Sequence, residues 1–235
     1  MLKLFNNPTK FRVISFNIEY YTDWPDKKDQ IIRLLKELNA DIILLQEVTI
    51  TQAKILSQEL NLYWDEKVWH KNGVAILSKN KIFQILSISV ENSSTGAIAI
   101  KINPDIWIVS LHLTDLDYLI DDIERLRELK FILDDLIKLQ PKNIILGGDF
   151  NSLQDCILHE LLDSKGFVDT HRDKEWAQGT WIPGDNERID RIYVKGNFAV
   201  MSGQTIDHND FEWLKDIGWP TGDDHRLVLT DLQIV

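Results

Sequence analysis

Apolar residues in this chain come in short blocks, and most blocks are too brief for helices. FRVISFNI (11–18), DIILLQ (41–46), GVAILSK (73–79), KIFQILSISV (81–90) and GAIAIKI (96–102) have the near-continuous or alternating patterns of strands. So do IWIVSLHL (106–113), NIILGG (143–148), RIDRIYV (188–194) and RLVLTDLQIV (226–235). Four other stretches have helical spacing. Residues 26–38 put Ile31, Leu34, Leu35 and Leu38 on one face, and residues 50–60 follow the second strand. Residues 119–139 align Ile123, Leu126, Leu129, Leu133 and Leu136, and residues 155–166 form a short helix stopped by Gly166. So many strands overfill one open sheet. The pattern predicts an α+β fold, a four-layer α/β/β/α sandwich of two packed mixed β-sheets flanked by helices. No repeat, low-complexity tract or linker-like stretch divides the chain, so residues 1–235 read as one domain.

Polar residues break this pattern at one recurring place, the ends of strands. VISF runs into Asn17 and Glu19, DIILL into Gln46 and Glu47, WIVSL into His112, and NIILGG into Asp149 and Asn151. Asp190 lies within a strand-like run, while Asp224 and His225 immediately precede the last strand. Any one of these residues alone reads as a turn residue or helix cap. As an ordered set they read as a site, because equivalent ends of neighbouring strands converge in space.

Composition narrows the chemistry. The 26 Lys and Arg against 37 Asp and Glu give a net charge of −11, which excludes a broad basic face that coats duplex DNA. A small basic cleft, or a bound cation that reverses the local sign, remains compatible with it. The single Cys156 leaves no internal disulfide partner. The start, MLKLFNNPTK, has no sustained apolar stretch, and no run approaches a membrane span. These features read as a soluble, cytoplasmic protein.

Carboxylates and amides, without thiolates or a zinc-spaced His pair, suit a hard cation, Mg²⁺ or Mn²⁺. Glu47 and Asp224 are the expected ligands, with Glu19 helping directly or through water. Asp149 is the expected base toward water, positioned by Asn151. Asp190 would orient His225 toward a phosphorane, and His112 and Asn17 would donate to the same phosphate. Together these parts fit hydrolysis of a phosphate ester.

SFNIE (15–19), LLQEV (44–48), SLHL (110–113), GGDFNS (147–152), RIDRIYV (188–194) and DDH (223–225) together resemble the endonuclease/exonuclease/phosphatase superfamily of DNase I-like enzymes. The resemblance implies the same sandwich, a Mg²⁺ or Mn²⁺ site at one edge of the paired sheets, and the same residue roles. Asp223 stands where the family often has Ser, and Glu19 where several members have Asp. RIDRIYV, GGD and DFEWLKDIGW before DDH look most like 5′-tyrosyl-DNA phosphodiesterases, which would make a nucleic-acid end the substrate and DNA repair the setting. GDFNS followed by a short helix looks equally like the poly(A)-shortening exonucleases. An enzyme of inositol phosphates or lipid head groups is the alternative, and a non-catalytic binding module on the same fold is a remote one. Trp176 and Trp181, in or beside the TWIPGDNER loop (180–188), are candidates for stacking on a base or tyrosyl ring, or else cap the core edge. Lys71, Lys79, Lys81 and Arg12 offer a possible phosphate-binding edge or a solvated face. His70, His159, His171 and His208 match nothing in this pattern.

Overall fold

Two strand–helix–strand units supply the parallel strands of this chain, one in each sheet. In the first, β1 (Lys10–Asn17) pairs in parallel with β2 (Ile42–Gln46) after crossing through α1 (Trp24–Leu38). In the second, β7 (Ile106–His112) pairs in parallel with β8 (Asn143–Asp149), with α3 (Asp122–Ile137) between them in sequence. The computed structural model describes residues 10–19, 24–93, 95–115, 122–153, 156–181, 187–215, 217–220 and 225–235. The remaining elements are α2 (Ile50–Glu59), β3 (Trp69–His70), β4 (Val74–Ser78), β5 (Gln84–Ser89) and β6 (Gly96–Asn103). They continue with α4 (Ile157–Ser164), β9 (Val168–Asp169), β10 (Asp190–Lys195), β11 (Phe198–Ile206), α5 (Glu212–Lys215) and β12 (Leu227–Ile234). One sheet has the order β11-β12-β1-β2-β4-β3 and the other β5-β6-β7-β8-β10-β9. Pairs other than β1/β2 and β7/β8 are antiparallel, so both sheets are mixed.

Strand periodicity explains the layering. Outward residues of the first sheet (Ile14, Phe16, Ile43, Leu45) pack under Ile31, Leu34 and Leu35 of α1 and Ala53 and Leu56 of α2. Outward residues of the second (Val109, Leu111, Ile144, Leu146) pack under Leu129, Ile132 and Leu133 of α3 and Leu158 and Leu162 of α4. Between the sheets lie Val13, Ile42, Leu44, Ile108, Ile145, Ile192 and Val228. Three apolar interfaces separate four layers, the α/β/β/α sandwich that the patterning predicts. No helix among the described residues is long and apolar enough to cross a membrane.

Strands β3 and β9, two residues each, lie outside the predicted strands, and two longer elements also depart from the sequence expectation. Strand β11 is absent from the predicted list because FAVMSGQTI barely alternates. It is a half-exposed edge strand, and its register with β12 shifts between Val200 and Ser202. In α3, Ile123 is 76% exposed rather than part of the buried stripe. Arg125 and Glu128 are buried in this helix instead. Glu128 accepts the backbone N–H and hydroxyl of Thr114, and Arg125 Nε donates to the Thr114 carbonyl. The helix is thus fastened by polar groups to the segment that leaves β7.

Gly148 makes the close packing of β7 and β8 possible. Its φ is +149°, and a Cβ there would lie 1.9 Å from the Leu111 carbonyl oxygen, which is backbone and cannot turn aside. Gly148→Ala is expected to lower stability by about 1–3 kcal/mol or more, read as a lower midpoint in urea unfolding. An unchanged midpoint would show that the β7/β8 pair can spread.

Candidate active site

The period-2 rule that layers the core also builds the site. Along β1 the residues facing the other sheet are Phe11, Val13, Ser15 and Asn17; along β7 they are Ile106, Ile108, Ser110 and His112. On β8 the same face ends in Asp149, and on β10 it begins with Asp190. The register places His112 beside Asp149 and Asp149 opposite Asp190. Four polar side chains therefore meet where the apolar space between the sheets opens.

Residues just past the strands are turned back toward this point by the backbone. Glu19, Glu47 and Asn151 have φ of 46°, 47° and 48°, the left-handed region that non-glycine residues seldom occupy. At the end of β8, Asp149 points inward while Phe150 packs outward against Tyr193, with ring centroids 5.5 Å apart. The left-handed turn then brings Asn151 back beside Asp149. A carboxylate, a ring and an amide in sequence thus serve two opposite faces.

Asp149 is the hub. Its Oδ1 accepts from the Asn151 backbone N–H at 2.8 Å, and its Oδ2 accepts from Asn17 Nδ2 at 3.1 Å. His225 Nε2 and His112 Nε2 lie 3.7 Å and 3.8 Å from the same oxygen. Asn17 Nδ2 also donates to Glu47 Oε1 at 3.2 Å, and its Oδ1 accepts the Glu19 N–H at 3.1 Å. His225 Nδ1 donates to Asp190 Oδ2 at 2.9 Å. Burial pushes the Asp190 carboxyl above the usual carboxylate range; His225 pulls it back, and the charge of Asp149 adds to the rise.

Two expected roles narrow. Asn151 Nδ2 donates to the Leu113 carbonyl at 3.0 Å and lies 3.2 Å from His112 Nε2, so this His112 nitrogen is engaged by the amide. To donate to a phosphate, Nε2 must carry the ring proton and leave Asn151. Asn17 commits its amide protons to Glu47 and Asp149, which makes it a bracket between two carboxylates rather than a free phosphate donor.

Donor atoms of Asp149, Asp190 and His225 all lie within 4.8 Å of one another, close enough to hold a cation. Glu47 is more open. Its carboxylate lines a cleft of about 800 Å³ together with His112, Trp69, Lys71, Asn72 and Thr95. Among the described residues its one ion-pair contact is His112, at 4.0 Å. Asp224 lies outside the described residues.

Some residues with no sequence signal support the site. Thr180 Oγ1 accepts the backbone N–H groups of Ile189 and Asp190 at 3.1 Å and 2.9 Å, anchoring the start of β10. Trp219 Nε1 donates to the His225 carbonyl at 2.6 Å. His159 bridges Tyr193 OH and Ser152 Oγ behind Asn151, and burial, then the charge of Arg191, holds its imidazole down at about 3. Asp169 accepts Arg188 Nη2 at 2.7 Å and Arg191 Nη1 at 3.1 Å, the two arginines that flank Asp190 in RIDR.

The tryptophan candidates separate. Trp181 forms β-bridges with His225 and Glu187, which keeps it beside the site. Trp176 instead covers Gly203 of β11, where any Cβ would lie 2.5 Å from its indole nitrogen, and that N–H points to the Thr170 carbonyl at 3.4 Å. Arg12 and Lys79 are engaged by Asp231 and Asp41, Lys81 lies over the Phe83 ring at 5.8 Å, and of these four cations Lys71 lines the cleft.

The profile of the Endonuclease/Exonuclease/phosphatase family matches residues 14–220. No curated protein sequence matches the chain. Among solved structures, an endonuclease/exonuclease/phosphatase from Bacteroides vulgatus is similar at TM-score 0.77, with 17% identity, covering 97% of this chain and 100% of that one. D. rerio TDP2 complexed with single strand DNA product gives 0.74 at 18% identity, covering 95% and 99%. The human Nocturnin catalytic domain with bound sulfate anion gives 0.75 at 18% identity, covering 96% and 95%.

Proposed function

The chain belongs to the Endonuclease/Exonuclease/phosphatase family, and on that premise we propose that it is a divalent-metal-dependent phosphodiesterase acting on nucleic-acid ends. One observation carries the reading. Asn17, Glu47, His112, Asp149, Asn151, Asp190 and His225, from the ends of six strands, form one hydrogen-bonded and charged cluster at the mouth of the inter-sheet space. In this reading Asp149 takes the proton of an attacking water, its two oxygens held by Asn151 and Asn17. His225, braced by Asp190, turns Nε2 toward the charge that grows on the phosphoryl oxygens.

The donors fit a hard cation, because carboxylate oxygens gather here while the single thiol, Cys156, is buried elsewhere. Mg²⁺, with Mn²⁺ as substitute, would be held by Glu47, by Asp224, and by Glu19 directly or through water. Bound there, it would polarise a phosphoryl oxygen and offset the charge of the leaving alkoxide. The cleft beside Glu47 and His112 supports a strand end as substrate, because it offers a volume of about 800 Å³, an aromatic wall in Trp69 and a cation in Lys71. The similarity of fold to TDP2 holding a single-strand DNA product agrees with this choice.

A single panel tests the proposal: 5′-tyrosyl oligonucleotide, poly(A), abasic duplex and inositol phosphate, each with Mg²⁺ and with a chelator. Chelator-sensitive turnover of an oligonucleotide is the expected result. Turnover confined to inositol phosphate would replace the substrate class, and indifference to the chelator would remove the metal.

A further inference from the structure

Three of the sequence motifs contain a polar residue that the chemistry leaves unexplained: Ser15 in SFNIE, Gln46 in LLQEV and Ser110 in SLHL. Each precedes a site residue by one or two positions and is fully buried, on a face otherwise lined by Val13, Leu44, Ile108 and Ile145. The structure brings them together. Ser15 Oγ donates to Gln46 Oε1 at 3.4 Å, and Gln46 Nε2 crosses between the sheets to Ser110 Oγ at 3.1 Å. Ser110 Oγ in turn donates back across the gap to the Leu45 carbonyl at 3.3 Å. Both ends of the Gln46 amide and the single proton of Ser110 are used.

Folding alone does not call for this arrangement. Burying an amide and two hydroxyls carries a desolvation cost that their mutual hydrogen bonds only offset, and apolar groups of the same shape serve a core about equally well. Directional bonds add a fixed distance, which interchangeable apolar contacts define less sharply. That distance matters one layer further out. Asn17 and Glu47 stand on one sheet, His112 and Asp149 on the other, and the Asn17–Asp149 bond and the His112–Glu47 approach both span the gap.

We propose that Gln46, with Ser15 and Ser110, is a positioning element that sets the separation of the two sheets, and so holds Asn17 and Glu47 at working distance from His112 and Asp149. Its effect on turnover rests on the phosphodiesterase reading above; its effect on geometry does not. The double variant Gln46→Met/Ser110→Ala replaces the polar link with apolar groups, and Ser110→Thr keeps the hydroxyl. Three quantities are measured on each: thermal midpoint, kcat and KM for a phosphodiester with Mg²⁺, and the ring NMR signals of His112, His225 and the remote His208.

The double variant is expected to melt near the wild-type midpoint and to lose about tenfold or more in kcat with KM little changed, because small misplacements of reacting groups are costly. The His112 and His225 signals should move while His208 stays, and Ser110→Thr should keep both readouts near their wild-type values. Unmoved site signals together with full kcat in a folded double variant would overturn the proposal. If that variant fails to fold, Ser110→Ala alone is judged by the same readouts. An inactive wild type would sink the phosphodiesterase reading instead, and the NMR comparison would still decide the positioning role.

Discussion

Asp149→Asn is expected to reduce kcat by about 10²–10⁴-fold, the range that a positioned acid–base group contributes. The substitution is isosteric, so the loss would not come from a cavity. Both Asp149 oxygens accept from amides, Oδ1 from Asn151 and Oδ2 from Asn17. An asparagine must turn an NH₂ toward one of them, which sets donor against donor and removes the acceptor for a water proton. Single-turnover hydrolysis of the substrate identified in the panel, with Mg²⁺ saturating, reads the effect. A variant within threefold of wild type would take Asp149 out of the chemistry. Adding His225→Ala to Asp149→Asn should cost far less than the two single losses multiplied together, since groups that act on one transition state are not additive.

The second large effect is on stability. Asp169 lies between two buried guanidiniums, Arg188 and Arg191, whose side chains are 6% and 0% exposed. Burial alone would raise its carboxyl. The hydrogen bond from Arg188 and the charges of both arginines outweigh that and hold it at about 2. Asp169→Ala leaves two buried cations without their anion and is expected to cost about 3–5 kcal/mol, measured by urea unfolding at pH 7. The sign with pH follows from the depressed carboxyl. Its contribution is present above the ordinary value of 3.8 and is shed as the pH falls from there toward about 2. The variant should lack that part of the acid transition. Equal acid sensitivity in the two proteins would mean that the arginines find another counter-charge.

Much of this was legible in the sequence, for a physical reason. Strand patterning is a two-residue code, and polar residues that interrupt it at strand ends can be read without knowing the partners. Asn17, His112, Asp149 and Asp190 obey that code and lie together on the inner face. Glu47 and Asn151 do not obey it; they reach the site through left-handed backbone, which their residue types did not announce. Thr180 and Trp219 were invisible because they act through backbone groups, a service that many residue types in a loop can perform. Strand β11 was missed because an edge strand needs little burial and so shows little pattern. Ile123 falls outside the buried stripe because helical spacing says nothing of where a helix begins, and α3 begins at Asp122, which leaves Ile123 exposed in its first turn.

The order of strands in the first sheet also affects how the chain is made. Strand β12 sits between β11 and β1, so a strand late in the sequence pairs with one near its start. Until it arrives, one flank of β1 presents unpaired amides and carbonyls to whatever lies nearby. At ordinary ribosomal speeds that interval is on the order of tens of seconds. An open flank of this kind is a template for pairing with neighbouring chains until β12 covers it.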